Sequence, residues 1–134
     1  MERQVMEFSL KGEHPVLAGL RDQFTEANVC GREFTGVGFY TDFAIPERAL
    51  RVPYERLVIS DIYADITGLL HGASILIFIE NGYLATLECA ICEDAWPVEA
   101  SIGRLYYLRP KEPGSPSLVE TAHRDIEYAL GGLL

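Results

Sequence analysis

Two apolar runs flank Asn81-Gly82 in the segment Ile75-Leu76-Ile77-Phe78-Ile79-Glu80-Asn81-Gly82-Tyr83-Leu84-Ala85-Thr86-Leu87-Glu88-Cys89. Asn and Gly tolerate the positive φ that a type I′ turn demands at both central residues. The segment therefore predicts a β-hairpin with a two-residue loop. Such a loop also sets a register: Glu80 faces Tyr83, Ile79 faces Leu84, Ile77 faces Thr86 and Ile75 faces Glu88. One side then carries Leu76, Phe78, Ala85 and Leu87, and the other Ile75, Ile77, Ile79, Leu84, Thr86 and Glu88. Both sides are largely apolar, as in central strands covered on both faces, or on one face by a second subunit. A carboxylate in that setting costs free energy unless it is paired or hydrogen-bonded. Glu88 is thus the residue that demands a partner. It reads as a general acid or base, as a polar anchor for a ligand, as a carboxylate exposed at an edge, or as a structural pair with Arg104 or Arg109 on the next strand.

The rest of the chain bounds what such a hairpin belongs to. Its 134 residues suit one domain with one core, and a hydrophobic content of 49% argues against disorder. The net charge of −9 speaks against a nucleic-acid partner, because phosphate binding needs clustered Lys and Arg. It speaks equally against an anionic membrane surface. A basic protein partner or a cationic ligand fits the sign of the field, as does plain solubility. Met1-Glu2-Arg3-Gln4 leads into mixed polar and apolar residues rather than an apolar leader run. Ala73 to Ile79 is the longest apolar stretch and is too short to span a bilayer. Three cysteines without a secretory leader predict reduced thiols and a cytoplasmic location.

The remaining patterns predict an α+β fold. Residues 1–12 alternate through Val5, Met6, Phe8 and Leu10 as a short strand or arm. Pro15 suits the first turn of a helix over 15–28, with Leu17, Leu20, Phe24 and Ala27 on its apolar face and Gly31 closing it. Arg21, Asp22, Gln23 and Glu26 fall mainly on its wet side. Residues 33–45 alternate as one strand, with Val37, Phe39 and Phe43 on one face and Tyr40 and Asp42 on the other. Leu57 to Ile59, or alternatively the longer run to Ile66, and Ile102 to Leu108 give further strands. Ser117 with Glu120 has the spacing of a capping box. It opens a last helix whose stripe is Leu118, Ala122, Ile126, Ala129 and Leu130, ended by Gly131 and Gly132. The expected architecture is a mainly antiparallel sheet of about four to six strands, with an N-terminal and a C-terminal helix packed on it.

No motif completes a catalytic or metal centre. Cys89-Ala90-Ile91-Cys92 has redox spacing, but on a strand positions 89 and 92 point to opposite faces, too far apart for a disulfide. A second ligand pair for zinc is missing, and Cys30, His14, His71 and His123 supply no recognisable set. Two small apolar side chains, one or both buried, are the simpler reading. Gly36-Val37-Gly38 begins like a dinucleotide fingerprint, but position 41 is Thr and no helix follows. The glycines better suit a bulge or the close approach of a helix. Asp42, Asp61, Asp65, Glu88, Glu93 and Asp94 lie near strands or strand ends, where two converging carboxylates serve as an acid–base pair or a divalent-cation site. His123 belongs to a solvated cluster with Glu120 and Glu127. Trp96, the single tryptophan, reads as a core plug under its loop or as an interface anchor. No cofactor and no metal are expected.

The residues Phe34-Thr35-Gly36-Val37-Gly38-Phe39-Tyr40-Thr41, Gly82-Tyr83-Leu84, Leu87-Glu88 and Trp96-Pro97 resemble small, uncharacterised bacterial single-domain proteins. These carry a glycine-bearing strand, a G-x-L-x-x-L-E hairpin and a following W-P. The resemblance implies no catalytic residues. One role of small acidic bacterial proteins of this kind is immunity, the neutralisation of a toxin. The chain departs from the pattern after Leu87-Glu88, where Cys89-Ala90-Ile91-Cys92 replaces a polar or aromatic stretch.

Three functional readings follow. The first is a non-catalytic, acidic protein that binds a basic protein partner. The second is a small-molecule-binding domain or enzyme whose pocket is lined by Glu88, Tyr40, Asp42 and Trp96. The third is a structural homodimer that covers the doubly apolar hairpin.

Overall fold

Asn81 and Gly82 both take positive φ, 54° and 79°, and join two strands in the expected turn. A computed structural model describes residues 1–93 and 95–131. In chain order these form α1 (Glu2–Ser9), α2 (Pro15–Thr25), β1 (Asn28–Phe34), β2 (Gly38–Ala44), β3 (Arg56–Ile66), β4 (Ala73–Glu80), β5 (Tyr83–Ile91), β6 (Ile102–Pro110), β7 (Leu118–Thr121) and α3 (Ile126–Leu130). The strands make one seven-stranded sheet in the order β1-β2-β5-β4-β3-β6-β7, antiparallel at every pairing. The α+β class and the antiparallel sheet agree with the sequence, but there are seven strands rather than four to six. No described helix is long and apolar enough to cross a membrane.

The extra strands come from two misread segments. The stretch 33–45 is not one strand but the end of β1, a turn at Gly36-Val37, and β2. Thr35 N–H donates to the Gly38 carbonyl across that turn, at 3.1 Å. Gly38 is required by the neighbouring strand rather than by a helix: a Cβ there would sit 2.0 Å from the Cys89 carbonyl oxygen. Residues 118–121 form β7 against β6. Glu120 bonds the Arg104 guanidinium at 2.6 Å instead of capping a helix. Tertiary pairing with an open strand edge here overrides the local capping signal. The final helix shrinks to α3, capped by Asp125 accepting from Tyr128 N–H; Gly132 lies outside the described residues.

The N-terminus is a helix, not a strand. Val5, Met6, Ser9 and Leu10 are buried. Their i, i+1, i+4, i+5 spacing is one helical face, and the apparent alternation through Phe8 was coincidental. α2 starts at Pro15 as expected but ends at Thr25, and β1 begins before Gly31. Gln23, assigned to the wet side, is 1% exposed. Its Nε2 donates to the Leu50 and Gly82 carbonyls, both at 2.9 Å, and its Oε1 accepts from Leu84 N–H at 2.8 Å. The paired segment of β2 ends at Asp42↔Thr86, so this side chain supplies the partner that Leu84 lacks on the sheet.

Helices α1 and α2 cover one face of the sheet. The core joins Val5, Met6, Leu10, Val16, Leu17 and Leu20 to Leu57, Ile59, Ile62, Ile75, Ile77, Ile79, Leu84 and Leu87. Full burial of each large aliphatic side chain is worth about 1.5–3 kcal/mol. Trp96 and Phe39 extend this core under the loop after β5.

A bulge between Ile59 and Ile62 brings a charge into that layer. Asp61 is buried beside Ile62, and its carboxylate takes Arg124 in a two-pronged pair at 2.9 and 2.7 Å. The two side chains are 0% and 5% exposed. Arg124 also donates to the Ser9 and Lys11 carbonyls and lies over the Tyr107 ring. Tyr107 donates to the Phe8 carbonyl, and Arg21 to those of Leu10 and Gly12. The Phe8 and Ser9 carbonyls at the end of α1, and those of Leu10, Lys11 and Gly12 just after it, thus accept from side chains of α2, β6 and the segment before α3.

Removing one partner of a buried pair leaves an uncompensated charge. Asp61→Asn and Arg124→Met are each expected to lower unfolding free energy in urea by about 3–5 kcal/mol. The double variant Asp61→Leu/Arg124→Met should lose less than the sum of the two. Single losses below about 1 kcal/mol would contradict this role for the pair.

Candidate functional site

The hairpin register departs from expectation one residue after the turn. Glu80↔Tyr83 and Ile79↔Leu84 hold, but a bulge places Phe78 opposite Thr86. Ile77 then faces Leu87, Ile75 faces Cys89, and Leu76 faces Glu88. One extra residue, Ala85, moves Leu87 and Cys89 into the core and turns Thr86 and Glu88 to the opposite side. Glu88 is therefore half-buried on the uncovered face, not set among Ile75, Ile77 and Ile79. Nor does it meet Arg104 or Arg109, because β4 and β3 lie between β5 and β6.

The side chains of this second face follow from register and alternation. Tyr40 lies between Glu33 and Glu88, and Asp42 between Gly31 and Thr86. Thr86 Oγ1 donates to Asp42 Oδ1 at 2.9 Å. The Glu88 carboxylate beside Tyr40 pushes the phenol above the ordinary tyrosine value. Next along the sheet come Leu76, Phe78 and Val58, half-buried and outside the core cluster. Beyond them Tyr63 pairs with Tyr106 across β3 and β6, ring centroids 6.3 Å apart. Arg104 lies over the Tyr106 ring and bridges Asp65 and Glu120. That guanidinium holds the Glu120 carboxyl below the usual carboxylate range. On these strands the face carries Glu33, Asp42, Asp65, Glu80, Glu88 and Glu120 against Arg56 and Arg104.

A cleft of about 550 Å³ opens at one end of the sheet, beside the start of α1. Phe34, Phe39, Tyr40, Trp96, Pro97 and Val98 line it, with Met1, Glu2, Arg32 and Ala100. Trp96 stands edge-on to Phe39 with centroids 5.8 Å apart. Arg32 grips Glu2 through Nε and Nη2 at 2.9 and 2.8 Å, and Thr41 donates to the same carboxylate. The Arg32 guanidinium holds the Glu2 carboxyl below the ordinary range.

Of the four residues singled out for a pocket, the cleft unites Tyr40 and Trp96; Glu88 and Asp42 are not among its lining residues. Asp42 and Glu88 share the open face with Tyr40, so Tyr40 stands where the two surfaces meet. Trp96 is half-buried, packed on the core at one edge and lining the cleft at the other. The other acids serve separate partners: Asp61 holds Arg124, Asp65 holds Arg104, and Glu93 accepts from the Leu70 and His71 N–H groups. Asp94 lies outside the described residues. Among the described residues no group of three His, Cys, Asp or Glu side chains gathers to hold a metal ion. Cys89, on β5, is buried and Cys92, just past the end of that strand, is exposed, both free thiols; burial pushes the Cys89 thiol up to about 12. His14 caps α2, its Nδ1 accepting from Val16 N–H.

No protein-family model matches this chain, no curated protein matches it, and no solved structure matches it. The functional reading rests on the geometry.

Sequence reasoning passed over Gln23, the Arg32–Glu2 pair, the Asp61–Arg124 pair and exposed Phe34. Only Phe34 left a local signal, an aromatic beside Gly36 at a strand end. The others join positions far apart in sequence, which no local pattern connects. The Tyr40–Glu88 contact has a direct check. Replacing Glu88 by Gln removes the charge that disfavours phenolate, so Tyr40 should titrate lower, closer to about 10. NMR of ring-labelled tyrosine measures it, and an unchanged midpoint would refute the contact.

Proposed function

We propose that this is a non-catalytic binding protein whose uncovered sheet face docks a cationic protein partner. The observation that carries this reading is the pairing of an apolar strip, Val58, Leu76 and Phe78, with a surround of carboxylates on a face that no described helix covers. Interfaces combine an apolar centre with a polar rim. Here carboxylates outnumber cations in the rim: Glu33, Asp42 and Glu88 lie on one flank and Asp65 and Glu120 on the other, against Arg56 at one end and an Arg104 already engaged by Asp65 and Glu120. A partner with an apolar centre and Lys or Arg at its border complements both features, and the field of a chain of charge −9 accelerates its approach. Immunity against a basic toxin is one form of this activity.

The alternatives have less support. The side chains proposed to converge on a small molecule divide between the cleft and the open face. A face-to-face homodimer brings two acidic rims together, and like charges oppose that association.

The test compares the wild type and Phe78→Arg as baits in native-host lysate. The wild type should retain a basic protein at low salt and release it as salt rises, while Phe78→Arg should retain none. Equal recovery by both baits would refute the reading. A salt-insensitive dimer in sedimentation, lost in Phe78→Arg, would assign the face to a second copy instead.

A further inference from the structure

Strand β1 is one edge of the sheet, and its two halves differ. A bulge lies between Val29 and Gly31, after which Gly31–Phe34 pairs regularly with β2. The Thr35–Gly38 hydrogen bond sets the phase of this hairpin. Hydrogen-bonded pairs alternate along an antiparallel ladder, so Glu33↔Tyr40 and Gly31↔Asp42 are bonded pairs. Arg32 and Phe34 then direct their N–H and C=O groups away from β2, to the free edge. Bulges, charges, prolines and short length ordinarily blunt such edges. The opposite edge, β7, has four residues and follows Pro116. Gly31–Phe34 is equally short and carries Arg32 and Glu33, but it has no proline, its one cation is already paired with Glu2, and it ends in Phe34, 74% exposed, at the aromatic cleft. Val98, fully exposed, also lines the cleft.

We propose that the Arg32–Phe34 edge is a peptide-binding site that adds an extended segment to the sheet, with alternating apolar and basic side chains. Strand addition takes affinity from main-chain hydrogen bonds and specificity from the pockets that receive alternate side chains. The residues placed opposite Arg32 and Phe34 share their face of the sheet. One packs on the exposed Phe34 ring toward the cleft of Phe39 and Trp96, and the other on the Arg32 stem. Arg32 presents no free charge to them, because Glu2 already holds its guanidinium. The intervening residue lies on the opposite face, opposite Glu33 and near Tyr40 and Glu88. That position selects Lys or Arg. The chemical class is thus an extended apolar–basic–apolar peptide. This site adjoins the open face and shares Glu33 and Glu88 with its rim, but its main-chain hydrogen bonds and its apolar contact come from Arg32 and Phe34, so Phe34→Ala tests it apart from the docking that Phe78→Arg tests.

Trp96, the single tryptophan, lines the cleft and reports on it. The probe is an acetylated and amidated hexapeptide, Thr-Lys-Phe-Lys-Phe-Thr, titrated into the full chain while tryptophan emission is followed. A saturable change is expected, weakened about tenfold or more in Phe34→Ala. A peptide of the same composition with adjacent phenylalanines, Thr-Phe-Phe-Lys-Lys-Thr, should bind far more weakly. N-methylation of the amides at one set of alternate positions should abolish binding, and at the other set should preserve it. Circular dichroism confirms that Phe34→Ala, altered at an exposed side chain, keeps its fold. The proposal is overturned if emission is unchanged up to about 1 mM peptide. It is equally overturned if both peptide orders bind alike, which marks charge attraction alone, or if Phe34→Ala binds as the wild type does.

Discussion

The Asp61–Arg124 pair ties together three parts of the chain that are far apart in sequence. Arg124 sits just before α3, Asp61 in the middle of β3, and the carbonyls that Arg124 also engages close α1. A buried guanidinium has five donors and no tolerance for leaving them empty. Once Arg124 is inside, its geometry dictates where the end of α1, the bulge of β3 and the Tyr107 ring lie. The α1 terminus, α3 and the central strand consequently hold one arrangement, and the layer of helices is fixed over one face only.

Bulges set the chemistry of that open face. In β3 one extra residue admits Asp61 to the core layer. In β5 the extra residue has the opposite effect, exchanging Thr86 and Glu88 for Leu87 and Cys89. A regular hairpin would have buried a carboxylate among isoleucines. The bulge removes that desolvation cost and delivers Glu88 to a surface beside Tyr40 and opposite Leu76. Carboxylates beside an apolar strip on the open face, and an aromatic cleft by a free edge, are both consequences of how the sheet is finished rather than of its core.

The elements legible in the sequence were those whose signals are local. Asn81-Gly82 marked the hairpin, Pro15 the start of α2, and the Leu57–Ile66 and Ile102–Leu108 runs marked β3 and β6. The faces of β2 were also read correctly, since Phe39, Thr41 and Phe43 alternate with Tyr40 and Asp42. The misreadings fell where two local patterns compete. Val5, Met6 and Leu10 fit both periods, and Ser117 with Glu120 mimics a helix start while Val119 and Thr121 suit a strand. In each case contacts with distant elements decided. Of the candidate site, Tyr40 and Trp96 were legible as polar-tipped aromatics, but their shared cleft was not, because α1, β1 and the loop after β5 converge there only in three dimensions.

By itself the sequence determined the antiparallel α+β character, the turn at Asn81-Gly82, the acidic field and the separation of Cys89 from Cys92. These depend on local backbone preference, on alternation and on summed charge, all of which are properties of neighbouring residues. Only the tertiary structure decided which face of the sheet the helices cover, where the bulges fall, and that Glu88 points outward. The reason is energetic and global. A strand pair can shift its alternation by one residue at small local cost, and the choice is made by which side chains the whole core must bury.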